Sequence, residues 1–266
     1  MTNWSDIDTN AKSWIKEAAE IIKGSFSKTL DIQTKSNRND LVTEIDKKIE
    51  QFFIDKIRKN YPEHKIIGEE GFGDKPKTMD GVIWIIDPID GTMNFVHMQR
   101  NFAISIGIYK NGVGMIGLIY DVVRDELYHA IKNKGVYMNE LQLGRLEEVN
   151  IAESIIGINA SWVTENKRID SAILAPLVKE VRGTRSYGCA ALEFAYVAAG
   201  RLDAYISLRL SPWDFAAGKI LIEELGGNVT DLRGKPLNLL EQCSIFVSKP
   251  GLHEEVLKKF LRNGDW

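Results

Sequence analysis

The chain has 266 residues, 44% hydrophobic and 27% charged, with 34 basic against 37 acidic side chains and a net charge of −3. That length buries a substantial core in one large domain or two fused halves, and the charge balance provides no general basic field for nucleic acid. No apolar run reaches the ~20 residues of a membrane span, residues 1–20 hold no signal-peptide core, and Cys189 and Cys243 form neither a CxxC pair nor a disulfide framework. These features lead to the expectation of a cytoplasmic protein without nucleic-acid or membrane partners.

Trp4, Ile7, Ala11, Trp14, Ala18 and Ile22 recur at helical spacing and predict a first amphipathic helix ending near Gly24. Residues 31–40 are polar and aperiodic and read as a loop. A second helix carries Ile45, Ile49, Phe52 and Ile57 on one face. Thr43 and Asp46 start it as a capping box, and Tyr61-Pro62 ends it. Residues 82–86, Val-Ile-Trp-Ile-Ile, are a continuous apolar run and predict a buried strand. Residues 102–109, 115–120 and 126–131 read as further strands of an antiparallel meander, with turns at Gly112 and Asp125.

The second half alternates helices with strands. Residues 190–199 predict a small-residue helix, 203–207 a strand, and 213–225 a helix stopped by Gly226-Gly227. Residues 243–247 predict a strand and 252–261 a closing helix. The pattern is an α+β half over residues 1–150 and an α/β half over 151–266, within a single domain.

The candidate chemistry lies where the buried strand ends, at Asp87-Pro88-Ile89-Asp90-Gly91-Thr92. Two carboxylates stand at i and i+3, Pro88 stiffens the turn, and Gly91 lets the backbone approach a ligand. Thr92 opens a helix whose first N–H groups suit a phosphate. Hard oxygen ligands favour magnesium or manganese over zinc. Further acids occur in Gly68-Glu69-Glu70-Gly71, in Trp213-Asp214 and at Asp46; taken singly, Asp46 and Asp214 read as helix caps and Glu69 as a solvated loop acid.

Taken in order, these segments resemble the inositol monophosphatase family. The matching segments are Lys35-Ser36 with Asp40-Leu41-Val42-Thr43-x-x-Asp46, then Ile67-Gly68-Glu69-Glu70. They continue with Trp84-Ile85-Ile86-Asp87-Pro88-Ile89-Asp90-Gly91-Thr92-x-Asn94-Phe95-x-His97, and with Trp213-Asp214-x-Ala216-Ala217-Gly218 before Glu224-Leu225-Gly226-Gly227. The resemblance spans nearly the whole chain. It implies a layered αβαβα sandwich of the sugar-phosphatase type, commonly a homodimer. It also implies a lithium-sensitive, magnesium-dependent phosphomonoesterase that takes inositol 1-phosphate to inositol and phosphate with a metal-activated water.

The same resemblance implies roles. Glu69, Asp87 and the Ile89 carbonyl hold one magnesium, and Asp87, Asp90 and Asp214 a second. A third, weaker ion lies near Glu69, and manganese is an alternative metal. Gly91 and Thr92 receive the phosphate, and Asp46 and Thr92 pair beside the attacking water. Ile89, Asp90 and Asp214 border the substrate, while Gly188, Cys189, Ala190 and Arg185 face its alcohol part; Arg185 also reads as a surface or dimer salt bridge. Lys35 either closes over the site or is solvated. His97 reads as structural, His64, His129 and His253 have no ligand spacing, and Cys189 reads as a small buried residue. Ser207 stands where inositol phosphatases of the family usually carry a hydroxyl-binding glutamate. That departure, with Arg209 close by, keeps fructose 1,6-bisphosphate and NADP(H) as alternative substrates. A non-catalytic regulatory binding protein is the reading from another class. It would be favoured by degraded ligand positions, and Glu69, Asp87, Asp90 and Asp214 are all present.

Overall fold

The computed structural model describes residues 3–34 and 41–264. Asn3 caps α1 (Trp4–Lys23), whose buried face is the predicted one. Ile32–Thr34 (β1) pairs antiparallel with Leu41–Thr43 (β2), so part of the predicted loop is a strand. All three residues of β1 are exposed, which left no alternation to read. Lys35 and the start of the first motif lie outside the described residues. Thr43 and Asp46 complete the capping box of α2 (Glu44–Asn60). The buried aromatic of α2 is Phe53; Phe52 is only partly buried, one position round the helix from the predicted face.

A seven-stranded sheet follows, in spatial order β3 (Lys65–Gly68), β4 (Val82–Asp90), β5 (Ala103–Lys110), β6 (Val113–Asp121), β7 (Glu126–Ile131), β8 (Gly135–Met138) and β9 (Leu141–Leu143). The short helix α3 (Thr92–Met98) links β4 to β5. β4 and β3 run parallel; the other neighbours are antiparallel. β4 runs four residues beyond its predicted end. Its register with β5 shifts between Asp87 and Asp90, where Pro88 lacks the N–H that a ladder needs.

The rest of the chain builds a second sheet and its helices: β10 (Ile155–Ile158), α4 (Ser171–Glu180), β11 (Gly183–Arg185), α5 (Ala190–Ala198), β12 (Ala204–Leu210), α6 (Pro212–Glu224), β13 (Asn228–Thr230), β14 (Cys243–Ser248) and α7 (Leu252–Lys259). The five strands lie in the order β11-β10-β12-β14-β13. Gly226, at φ 82°, stops α6 as predicted.

Strand alternation sorts these elements into layers. Trp84 and Ile86 of β4 pack against α1 and α2, whereas Ile83 and Ile85 face the cluster of α5 and α6. In the second sheet, Tyr205, Ile245 and Val247 face that same cluster, and Ala204, Ile206 and Phe246 pack with α4 and α7. The layers are therefore helix, sheet, helix, sheet, helix, an αβαβα sandwich. Helices cover both faces of β4, which is why its sequence reads as an unbroken apolar run.

α6 lies directly on the first sheet over two glycines. A Cβ on Gly107 would sit 2.8 Å from the Ala216 Cβ and 2.9 Å from its carbonyl carbon, and one on Gly117 would sit 2.7 Å from the Ala217 oxygen. These glycines set the depth of the helix that carries Asp214. Gly107→Ala should destabilise the protein by about 1–3 kcal/mol through overpacking and lower activity with it. Urea unfolding monitored by fluorescence checks the first part; an unchanged midpoint would mean that α6 rides over the extra methyl at no cost.

Candidate active site

β4 delivers two acids into the interior. All nine of its residues are buried, so Asp87 and Asp90 emerge between the layers and not at a surface. Asp87 Oδ1 accepts the Ile89 N–H at 3.0 Å. Gly91 follows at φ 89°, and a Cβ there would lie 3.1 Å from both the Asn101 oxygen and the Cys189 Cβ. Only glycine makes this turn in this space. Asn94 then ties the turn to the second half, its Nδ2 donating to the carbonyls of Asn101 at 2.8 Å and Tyr187 at 2.7 Å.

Asp46 and Asp214 arrive by one construction on two helices. Each is the third residue of its helix, and its Oδ2 accepts the N–H of the capping residue, Thr43 or Ser211, at 2.8 Å. The other oxygen is left for the site. Asp46 Oδ1 meets the Thr92 hydroxyl at 3.1 Å, and the Ile89 carbonyl lies at 3.1 Å from the same hydroxyl. Asp214 joins Asp87 and Asp90, each offering a carboxylate oxygen within 4.8 Å of the others. Capping and a place in the acidic cluster are thus compatible for one residue. Ser211-x-x-Asp214 repeats the Thr43-x-x-Asp46 spacing of the capping box.

Glu69 is bonded to Asp87 and depends on a residue that no motif marks. Glu50 of α2 is fully buried and accepts the N–H groups of Glu70 at 2.6 Å and Phe72 at 2.8 Å. It fixes the turn that carries Glu69. The available signal was an acid set beside the apolar face of α2.

Asp90 crosses between halves. Its Oδ2 accepts a short hydrogen bond from the Ala191 N–H at the start of α5, and the Cys189 thiol lies 3.2 Å away. Burial pushes the Asp87 carboxyl well above the usual carboxylate range, and repulsion from Glu69, Asp90 and Asp214 adds to it. Burial followed by the charges of Asp90 and Glu69 raises Asp214 well above that range. Burial also raises Asp90, opposed by its hydrogen bonds from Ala191 and Cys189. Asp46 is raised by burial against the bonds from Thr43. Burial and Asp90 push the Cys189 thiol well up, so it offers no thiolate nucleophile at neutral pH.

The cluster borders a cavity of ≈ 330 Å³. Glu69, Asp90, Asp214, Gly91 and Thr92 line it together with Gly188, Cys189, Ala190, Ser207 and Arg209. Arg185 is not among the lining residues: it is exposed, and its Nη1 donates to the Thr184 carbonyl at 2.8 Å. His97 is exposed too. His64 accepts the Trp84 indole N–H at 3.0 Å, and His129 pairs with Asp8 at 3.0 Å, both away from the cluster. Asn159, Trp162, Glu193 and Tyr205 are among the lining residues that carried no expectation of a site role. Of these, Glu193 had a signal, as the one acid in an otherwise apolar helix.

The donor set fits magnesium. Converging carboxylates, Asp87 and Asp90 buried and Asp214 half-buried, whose leading charged neighbours are one another and Glu69, offer hard oxygens that repel until a cation enters. Without a cation, the folded state binds protons more tightly than the unfolded chain does. This proton-linked stability is present at low pH and lost as pH rises through the raised values. In EDTA the melting temperature should therefore fall from mildly acid to mildly alkaline pH, and magnesium should raise it most at the alkaline end. Differential scanning fluorimetry checks this; a magnesium effect independent of pH would break the link to these acids.

The inositol monophosphatase family model matches residues 3–264. The chain is 60% identical to inositol-1-monophosphatase of Bacillus subtilis over 98% of both sequences. It is 42% identical to inositol monophosphate-bound SaIMPase-II of Staphylococcus aureus, with a TM-score of 0.87 over 97% of this chain and 94% of that one. It also matches an IMPase/NADP phosphatase complexed with Mg2+ and phosphate, at 30% identity and a TM-score of 0.89 over 97% and 95%. The chain belongs to the inositol monophosphatase family and is a phosphoric monoester hydrolase of it.

Proposed function

We propose that this protein hydrolyses inositol 1-phosphate to inositol and phosphate, with magnesium held by Glu69, Asp87, Asp90, Asp214 and the Ile89 carbonyl. The observation that carries the reading is the meeting of three carboxylates within 4.8 Å, Asp87 and Asp90 buried and Asp214 half-buried, beside a cavity sized for a small phosphate ester. Two or three bound magnesium ions, or manganese in their place, would supply an activated water and neutralise phosphate charge.

The chain's own groups do the positioning. Gly91 and Thr92, where the chain enters α3, would turn their backbone N–H groups to the phosphate oxygens, Gly91 giving up its bond to the Asp90 carboxylate. The Thr92 hydroxyl stands between Asp46 Oδ1 and the Ile89 carbonyl, each at 3.1 Å. Burial makes the Asp46 carboxylate a stronger base, so it can draw the Thr92 proton towards Oδ1 while the Thr92 oxygen accepts one from the attacking water. Glu69, bonded to Asp87, would orient the same water. Gly188, Cys189, Ala190 and Ser207 wall the part of the cavity left for the alcohol. Arg185 belongs to the alcohol side only if its side chain turns from the Thr184 carbonyl.

Three further parts of this reading rest on the family resemblance: a homodimer, a cytoplasmic location and lithium sensitivity. A second substrate reading has its own observation. Ser207 removes a carboxylate from the alcohol side, and Arg209 lines the cavity with a positive charge, which suits fructose 1,6-bisphosphate or NADP(H).

Phosphate release from inositol 1-phosphate, fructose 1,6-bisphosphate and NADP separates these readings; kcat/KM should be highest for inositol 1-phosphate. Asp90→Asn should lower that activity more than tenfold, since a lost ligand charge removes several kcal/mol, about 3 or more, of transition-state stabilisation. Activity within tenfold of wild type would take Asp90 out of the metal site.

A further inference from the structure

The alcohol side of the cavity lacks the expected carboxylate at Ser207, and a different one lies in the same wall. Glu193 sits one turn into α5 at 3% exposure. Its Oε1 accepts the Tyr187 N–H at 2.8 Å. Its Oε2 is buried and has no hydrogen-bond partner. The neighbouring strand makes room for that oxygen: a Cβ on Gly157 of β10 would fall 2.3 Å from it and 3.1 Å from the Tyr205 ring. Tyr205, Ser207 and Glu193 line one cavity.

A buried carboxylate oxygen with no donor is costly to keep. It persists where a ligand supplies the donor. The neighbouring group whose charge acts on Glu193 is Asp90, an acid, so a second phosphate placed beside Glu193 would meet acids and not a cation. A neutral polyol brings hydroxyl donors and no charge. Burial also pushes the Glu193 carboxyl up to about 7, in keeping with an acid that has no cationic partner.

We propose that Glu193 is a specificity-determining residue whose free carboxylate oxygen accepts a hydrogen bond from a hydroxyl of the substrate's alcohol part, taking over from helix α5 the task that Ser207 is too short to perform. This inference rests on the polyol-phosphate reading above. It makes Gly157 part of the specificity device, because any larger residue would displace the acceptor.

The test uses the magnesium-loaded full chain and two substrates, inositol 1-phosphate and 4-nitrophenyl phosphate, which lacks hydroxyls. Glu193→Gln keeps an acceptor for the Tyr187 N–H. The ratio of kcat/KM for inositol 1-phosphate over 4-nitrophenyl phosphate should fall about tenfold, mostly through KM of the inositol ester. Adding Ser207→Glu to Glu193→Gln should return the ratio towards wild type. If the glutamine variant does not fold, Glu193→Asp, which withdraws the same oxygen by one methylene, should lower the ratio likewise. A ratio that stays within twofold, or an equal loss on both substrates, would overturn the proposal and leave Glu193 as a support for the Tyr187 loop. Failure of the polyol reading itself would show in the wild type, as no preference for inositol 1-phosphate before any substitution is made.

Discussion

Repulsion among the carboxylates that crowd around the buried Asp87 is the constraint on which the rest of this structure depends. Asp87, Asp90 and Asp214 bring oxygens within 4.8 Å of one another, and Glu69 adds a fourth charge bonded to Asp87. Removing charges from water is costly, and like charges in a low-dielectric interior make it more so. The arrangement persists because the fold spends its hydrogen bonds on holding it. Asp90 is secured by the Ala191 N–H, Asp214 by the Ser211 N–H, and the Glu69 turn by Glu50. Those bonds oppose the repulsion without cancelling it, since Asp87 and Asp214 remain far above ordinary carboxylate values. A divalent cation completes the balance.

The layered architecture explains how acids distant in the chain meet. β4 lies in the first sheet with helices on both faces, so the end of the strand opens between layers. α6 is drawn against that sheet by Gly107 and Gly117, which lowers Asp214 to the level of Asp87. The start of α5 reaches Asp90 from the second half, and Asn94 returns the tie to the Tyr187 loop. The phosphate side of the cavity is therefore built mostly from the first half and the alcohol side from the second. Changes at Ser207, Arg209 or Glu193 can retune the substrate without disturbing the acids.

What the sequence disclosed follows from how local each signal was. β4 and its acids were legible because a buried strand and its ligands are contiguous. The α6 helix was legible through its glycine stop. The strand β1 was not, because all its residues are exposed and its pairing depends on β2. Phe52 and Phe53 are adjacent, and only packing against β4 chooses between them. α4 carries Pro176 in its interior, a residue that disfavours a helix on sequence grounds, and the short strands β8 to β11 left too few residues for periodicity. Glu50 and Glu193 escaped notice because their partners are backbone N–H groups and a glycine in other elements. Arg185 was drawn into the site by its place in a motif, yet its side chain faces its own strand's backbone.

The central claim, that a cation relieves this repulsion, is tested most directly by counting protons. Magnesium chloride is titrated calorimetrically into metal-free protein near neutral pH, in buffers of different ionisation enthalpy. Acids whose hold on the proton is raised by burial and by one another release protons as the cation enters, so the account predicts net proton release on binding, reduced in Asp87→Asn. Magnesium binding with no proton release, or release undiminished in that variant, would contradict it.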